Sequence, residues 1–325
     1  MSPVDSGPVF LGIVGSTATG KTALSLALAE REPAEIVSMD SRQVYRGMDI
    51  GTAKVGREAR SRIPHYGLDL IGPGERYSAG RFGRDARRWI REIQAHGRLP
   101  ILVGGTGFFL KSVLEPIFAE PPLDTARVER LRAWLADQPR ERLEAWTRRL
   151  DPRRAELAIA GGPHRMGRTL EVALMSGHSL SWWHRHAPAE APPTPGVVVW
   201  LDLPRDEMNR RIDERVTRMV EDGLLDEVRS LMDGGVPLDA PGMTGTGYRE
   251  TARHLLGEIT LEQAVEEIRH ATRRYSRRQI TWFRHQLPED TLRLDATLPI
   301  PEQVERVVEV WEERCDTRTD VGASP

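Results

Sequence analysis

The sequence predicts an α/β fold, in which a parallel sheet core is interrupted by an α-helical insert domain. Three observations lead to this prediction. Apolar runs alternate with amphipathic helical segments through the first hundred residues, a glycine-rich loop follows the first apolar run, and two proline-rich stretches bound a helical segment. Alternation of this kind is typical of βαβ units, whose strands run parallel.

The predicted strands are short apolar runs next to turn-forming residues, at 9–14, 35–38, 99–103 and 196–203. Helices are predicted at 21–31 and 81–96, where apolar residues recur at helical spacing. From residue 204 to about residue 285 the pattern is again helical. We therefore expect a sheet that is followed by a set of C-terminal helices.

The helical insert is predicted at residues 119–195, between the third and fourth strands. Pro121-Pro122 opens this stretch and APAEAPPTPG closes it. Proline clusters of this kind mark domain boundaries. The core is therefore predicted to be discontinuous, formed by residues 9–118 together with 196–310.

Composition limits the class of protein. The chain has 325 residues and a formal net charge of −2, which excludes a chain that is basic throughout. Its single cysteine, Cys315, excludes a disulfide framework. No uncharged apolar run approaches the ~18 residues of a membrane span, and no leader pattern opens the chain. We expect a soluble, cytoplasmic monomer that makes no membrane contact.

The first loop, GSTATGKT, matches the phosphate-loop pattern GxxxxGK[ST] and lies between a predicted strand and a predicted helix. Its backbone N–H groups and the helix N-terminus favour a phosphate, and its lysine adds a positive charge. This context predicts a P-loop NTPase-like core. The residues predicted to bind a diphosphate are Gly15, Ser16, Thr17, Ala18, Thr19, Gly20, Lys21 and Thr22. The hydroxyl of Thr22 is the predicted protein ligand of Mg²⁺.

Two further loops follow predicted strands. Asp40 comes after strand 35–38, and Thr106 lies in GGTGF after strand 99–103. Because the carboxyl ends of neighbouring parallel strands meet at one crevice, both side chains are expected beside the phosphate loop. Taken alone, Asp40 is also compatible with a helix N-cap, and the glycines with a tight turn. Two phosphate-type loops indicate a diphosphate that is held from both sides.

Together these segments resemble the tRNA dimethylallyltransferases, or tRNA isopentenyltransferases. The resemblance covers residues 9–285 and rests on motifs in the same order and spacing: GSTATGKT, DSRQVYRGMDIGTAK, GGTGF, GYRE and TRRYSRRQITWFR. It implies Mg²⁺-dependent transfer of the dimethylallyl group from dimethylallyl diphosphate to N6 of adenosine 37, next to the anticodon, in tRNAs that read codons beginning with U. The products would be N6-(dimethylallyl)adenosine and diphosphate. The longer eukaryotic members carry a C-terminal zinc finger, so this chain resembles the bacterial type.

The resemblance also assigns residue roles. Asp40 would be the general base, with Thr106 and Arg215 as the other catalytic residues. Taken alone, Arg215 reads as a solvated helix arginine. The residues implied to contact the tRNA anticodon stem-loop outside the arginine-rich helix are Asp40, Ser41, Arg42, Gln43, Arg165, Thr244, Gly247, Tyr248 and Arg249. Before Arg165, Gly161-Gly162 replaces an Asn-Asp pair that is usual in the family.

Residues 265–282 have the spacing of a helix with one packing face, which carries Tyr275 and Gln279, and one basic face. Five arginines and no carboxylate occur between residues 269 and 278. A cationic surface without carboxylates favours the phosphate backbone of RNA, although an isolated run of this kind also fits a solvated helix. The predicted RNA contacts on this helix are Arg273, Arg274, Arg277 and Arg278.

Three alternatives remain at this stage. An adenylate isopentenyltransferase would share the core, but it would have little use for a helical insert or for an arginine-rich helix. A P-loop kinase or NTPase would use the same loop for ATP. A non-enzymatic RNA-binding protein would not require Lys21, Thr22, Asp40 and Thr106 together.

Overall fold

The computed structural model describes residues 8–118, 121 and 123–316. The chain forms two compact units, the first from Met1–Glu115 with Pro193–Pro325 and the second from Pro116–Pro192. The predicted insert, 119–195, overlaps most of the second unit. Residues 119, 120 and 122, at the predicted boundary, lie outside the described residues. No helix in the described ranges is long and apolar enough to cross a bilayer.

The first unit is built on a six-stranded sheet whose order is β3-β2-β4-β1-β7-β8 and whose strand pairs are all parallel. The strands are β1 (Leu11–Gly15), β2 (Ala34–Ser38), β3 (His65–Tyr66), β4 (Leu99–Gly104), β7 (Val197–Asp202) and β8 (Leu292–Asp295). The prediction of an α/β fold on a parallel sheet is confirmed. The sequence patterns predicted β1, β2, β4 and β7 but not β3 or β8.

β1 lies inside the sheet, between β4 and β7. All five of its residues are buried, and Ile13 faces Val103 on one side and Val199 on the other. A strand buried on both faces is expected where helices cover a parallel sheet. Because the strands run parallel, the loops that follow β1, β2 and β4 all leave from the same edge of the sheet.

Nine helices surround this sheet in the described part of the first unit: α1 (Lys21–Arg31), α2 (Arg57–Arg62), α3 (Ala79–Ala95), α4 (Gly107–Leu114), α10 (Arg205–Glu221), α11 (Leu224–Asp233), α12 (Tyr248–Leu255), α13 (Leu261–Gln286) and α14 (Ile300–Asp316). α13 is the longest of them and starts at a capping box, in which Thr260 and Gln263 each accept the other's backbone N–H. α13 packs against both α10 and α12.

The second unit is helical, and it has its own apolar core of Leu135, Leu143, Ala158, Met166 and Leu170. Its helices are α5 (Thr125–Ala136), α6 (Arg140–Leu150), α7 (Ala155–Ala160), α8 (Pro163–Ser176) and α9 (Leu180–His186). Two short antiparallel strands, β5 (Ile117–Phe118) and β6 (Ala189–Ala191), pair at its ends.

Gly161 and Gly162 lie in the turn between α7 and α8 of the second unit. Gly162 has a φ of +78°, a conformation that favours glycine, and Pro163 starts α8. Arg165 is exposed on the first turn of α8, and a Cβ on Gly161 would lie 1.9 Å from its Cδ. Gly161 therefore lets the Arg165 side chain lie against the turn, and the contact of Arg165 with RNA stays a prediction.

Candidate active site

The phosphate loop joins β1 to α1 and is held in shape by its own atoms. Ser16 and Thr19 are buried, and Thr19 Oγ1 donates to the Ser16 carbonyl at 3.0 Å. A Cβ on Gly15 would lie 2.8 Å from the Leu201 carbonyl oxygen, so only glycine fits there. Gly20 has a φ of +89°. Because Ser16 and Thr19 turn inward, their predicted contact with a diphosphate is limited to the backbone.

The N-terminus of α1 is open to an anion. Gly20 provides no side-chain cap, and the first turn carries no acidic residue. N–H groups at a helix start that lack intrahelical partners attract phosphate oxygens. Thr22 is exposed in this first turn, and it lines the same cleft as Lys21.

Lys21 is the cation of the loop, and in this structure its Nζ donates to the Ser16 carbonyl at 2.6 Å. Burial, and to a smaller extent the Arg215 guanidinium, lower the pKa of the Lys21 ammonium to about 8, while the Asp40 carboxylate opposes the shift. The cationic form is disfavoured because the surroundings exclude water and hold another cation. A bound anion would reverse that preference.

The loops after β2 and β4 are bonded to each other. The Ser41 N–H donates to Thr106 Oγ1 at 3.0 Å, and Asp40 Oδ1 accepts the Arg42 N–H at 2.8 Å. A Cβ on Gly104 would lie 2.0 Å from the Met39 carbonyl oxygen, so this close approach requires glycine. No helix begins at Asp40 in the described chain, since residues 41–44 form a turn; the helix N-cap alternative is therefore wrong. Asp40 and Thr106 are brought together as predicted.

These loops open into one cleft within the first unit, with a volume of about 1560 Å³. Asp40 and Arg215 both line it. Burial lowers the pKa of the Arg215 guanidinium, and the Asp40 carboxylate opposes that shift. Arg215 is therefore part of the cleft, and the solvated-helix alternative is wrong. The basic residues that line the cleft are Lys21, Arg42, Arg46, Lys54, Arg57, Arg60, Arg211, Arg215, Arg218, Arg249, Arg274 and Arg278.

Polar side chains on the predicted packing face of α13 enter the cleft, among them Tyr275 and Gln279. Tyr275 lies beside Asp40 and Thr106, and the Arg278 guanidinium lies 5.9 Å from the centre of its ring. Burial and the Asp40 carboxylate raise the pKa of the Tyr275 hydroxyl to about 12. Gln279 is buried, and its amide contacts both the phosphate loop and the loop after β4. Helical periodicity correctly placed Tyr275 and Gln279 on the same side of α13. It did not show that this side borders the cleft.

The arginines of α13 fall into two groups. Arg269 pairs with Glu266, and Arg273 binds both carboxylate oxygens of Asp213 at 2.6 and 2.5 Å. The prediction of a cationic surface without carboxylate partners is therefore wrong for these two arginines, because their partners lie outside residues 269–278. Arg274, Arg277 and Arg278 are the exposed arginines between residues 269 and 278, and none of them forms an ion pair with a carboxylate in the described part of the chain.

Gln43 and Arg42, both predicted to contact RNA, use polar side-chain atoms in hydrogen bonds within the protein. Gln43 accepts the Ser38 hydroxyl at 2.7 Å and donates to the carbonyls of Thr52 and Ala53 at 3.2 Å. The Arg42 guanidinium donates to the Pro241 carbonyl at 2.7 Å. Both side chains still line the cleft, as do Thr244, Gly247 and Arg249.

Tyr248, which was predicted to contact RNA, lies in the protein interior. Its side chain is 1% exposed, and its hydroxyl donates to the Glu227 carboxylate at 2.6 Å. A Cβ on Gly51 would lie 2.5 Å from the Tyr248 ring, so the ring fills the space beside that loop. Burial and the Glu227 carboxylate raise the pKa of the Tyr248 hydroxyl. The prediction that Tyr248 contacts RNA is wrong for this structure, because a buried and bonded side chain cannot reach a ligand.

Comparisons with known proteins identify the same segments. The family model described as IPP transferase matches residues 43–286, and the one described as Isopentenyl transferase matches residues 9–63. The curated tRNA dimethylallyltransferase of Thermomicrobium roseum is 44% identical over 280 residues, which cover 84% of this chain and 83% of that protein.

Two solved structures are similar over most of the chain. The full-length tRNA isopentenylpyrophosphate transferase from Bacillus halodurans matches with a TM-score of 0.70 and 32% identity, and the match covers 97% of this chain and 99% of that one. A eukaryotic dimethylallyltransferase acting on tRNA matches with a TM-score of 0.73 and 26% identity, over 88% of this chain and 73% of that one.

Proposed function

We infer that this chain, which belongs to the IPP transferase family, is a tRNA dimethylallyltransferase and transfers a dimethylallyl group to tRNA. We further propose that the donor is dimethylallyl diphosphate and the acceptor is N6 of adenosine 37, next to the anticodon, in tRNAs that read codons beginning with U. The observation that carries this proposal is the single cleft into which Lys21, Asp40 and Arg215 all face. A cytoplasmic monomer is part of the same proposal.

The diphosphate of the donor fits the basic end of the cleft. The N–H groups at the start of α1, the Lys21 ammonium and the Arg215 guanidinium are all available to anionic oxygens there. As the bond between C1 and the diphosphate oxygen breaks, its electron pair moves to the diphosphate. Donors aimed at that growing charge lower the barrier.

Mg²⁺ is the metal that this donor set fits. In the described residues no three His, Cys, Asp or Glu side chains form a cluster that could hold an ion, so a site built from protein ligands alone is not found there. Mg²⁺ is commonly held by one or two protein oxygens together with substrate phosphates and water. The exposed Thr22 hydroxyl would supply such an oxygen, and the ion would neutralise charge on the leaving diphosphate.

The dimethylallyl group requires an apolar surface beside the diphosphate site. The cleft wall next to Arg215 provides it, from Val216 and Met219 on α10 and Ile268 on α13. All three side chains are buried. Burial of apolar carbon against such a wall would contribute about 0.8 kcal/mol for each CH₂ group.

Asp40 is proposed as the general base. The N6 nitrogen attacks C1 of the donor, and the Asp40 carboxylate takes the proton that the nitrogen loses, which leaves the product neutral at N6. Thr106 lies next to it, where its hydroxyl can contact a diphosphate oxygen. An adenine in a stacked loop must leave its stack to reach this cleft. The exposed arginines Arg274, Arg277 and Arg278 would hold the RNA backbone during that step.

The experiment is transfer of labelled dimethylallyl diphosphate, in the presence of Mg²⁺, to an unmodified anticodon stem-loop and, in parallel, to AMP. Label in the stem-loop at the adenosine next to the anticodon supports the proposal. Label in AMP alone would mean that the acceptor is wrong and that the chain acts on free nucleotide. Hydrolysis of ATP with no label in either acceptor would support a P-loop kinase or NTPase instead.

A further inference from the structure

Gln279 connects two loops of the candidate active site. Its Oε1 accepts the Thr17 N–H of the phosphate loop at 3.0 Å, and its Nε2 donates to the Gly105 carbonyl at 2.8 Å. The side chain is 7% exposed and reaches these loops from α13. One amide group therefore sets the separation between the phosphate loop and the loop that carries Thr106.

The surrounding packing leaves this connection little freedom. A Cβ on Gly105 would lie 2.3 Å from the Gln279 Nε2, and a Cβ on Gly107 would lie 2.3 Å from the Trp282 ring. α13 thus lies directly on the backbone of residues 105–107. A shift of the helix would be transmitted to that loop, because close-packed groups cannot deform independently.

α13 is also bonded to α10, the helix that carries Arg215. Arg273 binds Asp213 through both carboxylate oxygens, and the Ser276 hydroxyl donates to the Met208 sulfur at 2.8 Å. The hydroxyl of Ser16, in the phosphate loop, contacts the same sulfur at 3.5 Å. The phosphate loop, the loop after β4 and α10 therefore all contact α13.

In its middle part, α13 exposes the three arginines Arg274, Arg277 and Arg278. Arg274 and Arg278 line the cleft next to Tyr275. Arg278 and Gln279 are adjacent in the sequence. The guanidinium proposed to hold RNA and the amide that bridges the phosphate loop and the loop after β4 therefore belong to the same turn of α13. Occupancy of the exposed face is therefore expected to bias the position of Gln279.

We propose that Gln279 is a positioning residue that couples RNA binding on α13 to diphosphate binding in the phosphate loop. This inference rests on the proposed function, because it takes the anticodon stem-loop and the diphosphate as the two ligands. Coupling is a free energy between sites and is reciprocal: RNA strengthens diphosphate binding by the same factor as diphosphate strengthens RNA binding. A side chain that only stabilises the fold could change either affinity. It would not change the factor by which RNA strengthens diphosphate binding.

The test measures the Kd of inorganic diphosphate with Mg²⁺, in the absence and presence of saturating unmodified stem-loop, for the wild type and Gln279→Met. Methionine keeps the length and helical packing but has no amide. We expect the stem-loop to tighten diphosphate binding by about fivefold or more in the wild type, the lower range for linked sites. In Gln279→Met we expect that ratio to fall to about one, with the RNA affinity measured alone unchanged.

Gln286 provides the matched control, because it is an exposed glutamine on the same helix, and its hydrogen-bond partners within the described residues are Lys111 and the His285 carbonyl. Gln286→Met should keep the wild-type ratio. If Gln279→Met does not fold, Gln279→Glu replaces it; this variant loses the donor to the Gly105 carbonyl, so its ratio should also fall.

A Gln279 variant that keeps the wild-type ratio would overturn the proposal, and so would a wild type in which the stem-loop leaves diphosphate affinity unchanged. Failure of the proposed function looks different. In that case the wild type binds no stem-loop at all, and no ratio exists to compare.

Discussion

Tyr248 donates its hydroxyl to the Glu227 carboxylate at 2.6 Å, and that carboxylate also accepts three consecutive backbone N–H groups, those of Asp49, Ile50 and Gly51, at 2.7, 2.7 and 3.1 Å. Glu227 thus organises a loop that lines the cleft, with Tyr248 as its fourth donor. A carboxylate with several donors is well solvated by the protein, and removal of one donor leaves the others in place. Tyr248 is therefore a structural residue.

Tyr248→Phe should lower the free energy of unfolding by about 1.5 to 3 kcal/mol, the usual net value of a hydrogen bond to a charged group, and should leave RNA affinity unchanged. Urea denaturation and stem-loop binding measure the two effects. Tyr66→Phe is the matched control, because its hydroxyl donates to a different buried carboxylate, Glu35, at 2.9 Å. If Tyr248→Phe instead binds RNA more weakly while its stability is unchanged, Tyr248 contacts RNA directly.

Asp40→Asn should reduce turnover by about a hundredfold or more, the scale of losing a general base, while stem-loop affinity stays near the wild-type value. The substituted amide can still accept the Arg42 N–H, so the turn should persist. Single-turnover transfer and RNA binding provide the measurement. Asp222→Asn, at another carboxylate that lines the cleft, should retain wild-type turnover. Equal turnover in both variants would remove Asp40 from the chemistry.

Affinity for a non-reacting prenyl diphosphate should fall as the pH rises through about 8. The pKa of the Lys21 ammonium is lowered to about 8 in the free protein, so the group is charged below that pH and neutral above it. Only the charged form attracts the diphosphate. Calorimetric titration across this range gives the profile. Lys21→Arg should flatten this step because a guanidinium stays protonated; a step of wild-type size in that variant would assign the titration to another group.

Arg277→Ala should reduce the slope of log affinity against log salt concentration by about 0.7 to 0.9, as expected when one phosphate contact is lost. Arg273→Ala should act differently, because Asp213 already neutralises Arg273; we expect lower stability with the salt slope unchanged. Stem-loop binding at several salt concentrations, with thermal unfolding, separates the two. Arg306→Ala, on α14 and paired with Glu302, is the control for a distant arginine. An unchanged slope in Arg277→Ala would exclude a phosphate contact.

The phosphate loop and the loop with Asp40 were predictable because their signals are local. A strand, a glycine-rich turn and a helix follow one another within residues 9–31, and the same sheet edge receives the next two loops. β3 has only two residues and β8 only four, and stretches this short give too little periodicity to predict a strand, although Leu292 and Leu294 alternate with polar residues in β8.

The partners of the site residues were not predictable from local pattern. Asp213 and Arg273 are 60 residues apart, and Thr17 and Gln279 are 262 residues apart. A helical wheel states which residues share a face, and it correctly grouped Tyr275 with Gln279. It cannot state whether that face meets core, cleft or solvent, because this depends on the arrangement of other elements. The same reasoning missed the burial of Tyr248.

The discontinuous origin of the first unit has a consequence for how the protein is made. β1 is synthesised early but pairs with β7, which begins at Val197, so the central part of the sheet cannot close until the whole second unit has been translated. The second unit comes from one continuous segment with its own apolar core. During synthesis on the ribosome, we therefore expect the second unit to fold first. Until β7 is synthesised, the strands made before it would expose apolar surface that chaperones recognise.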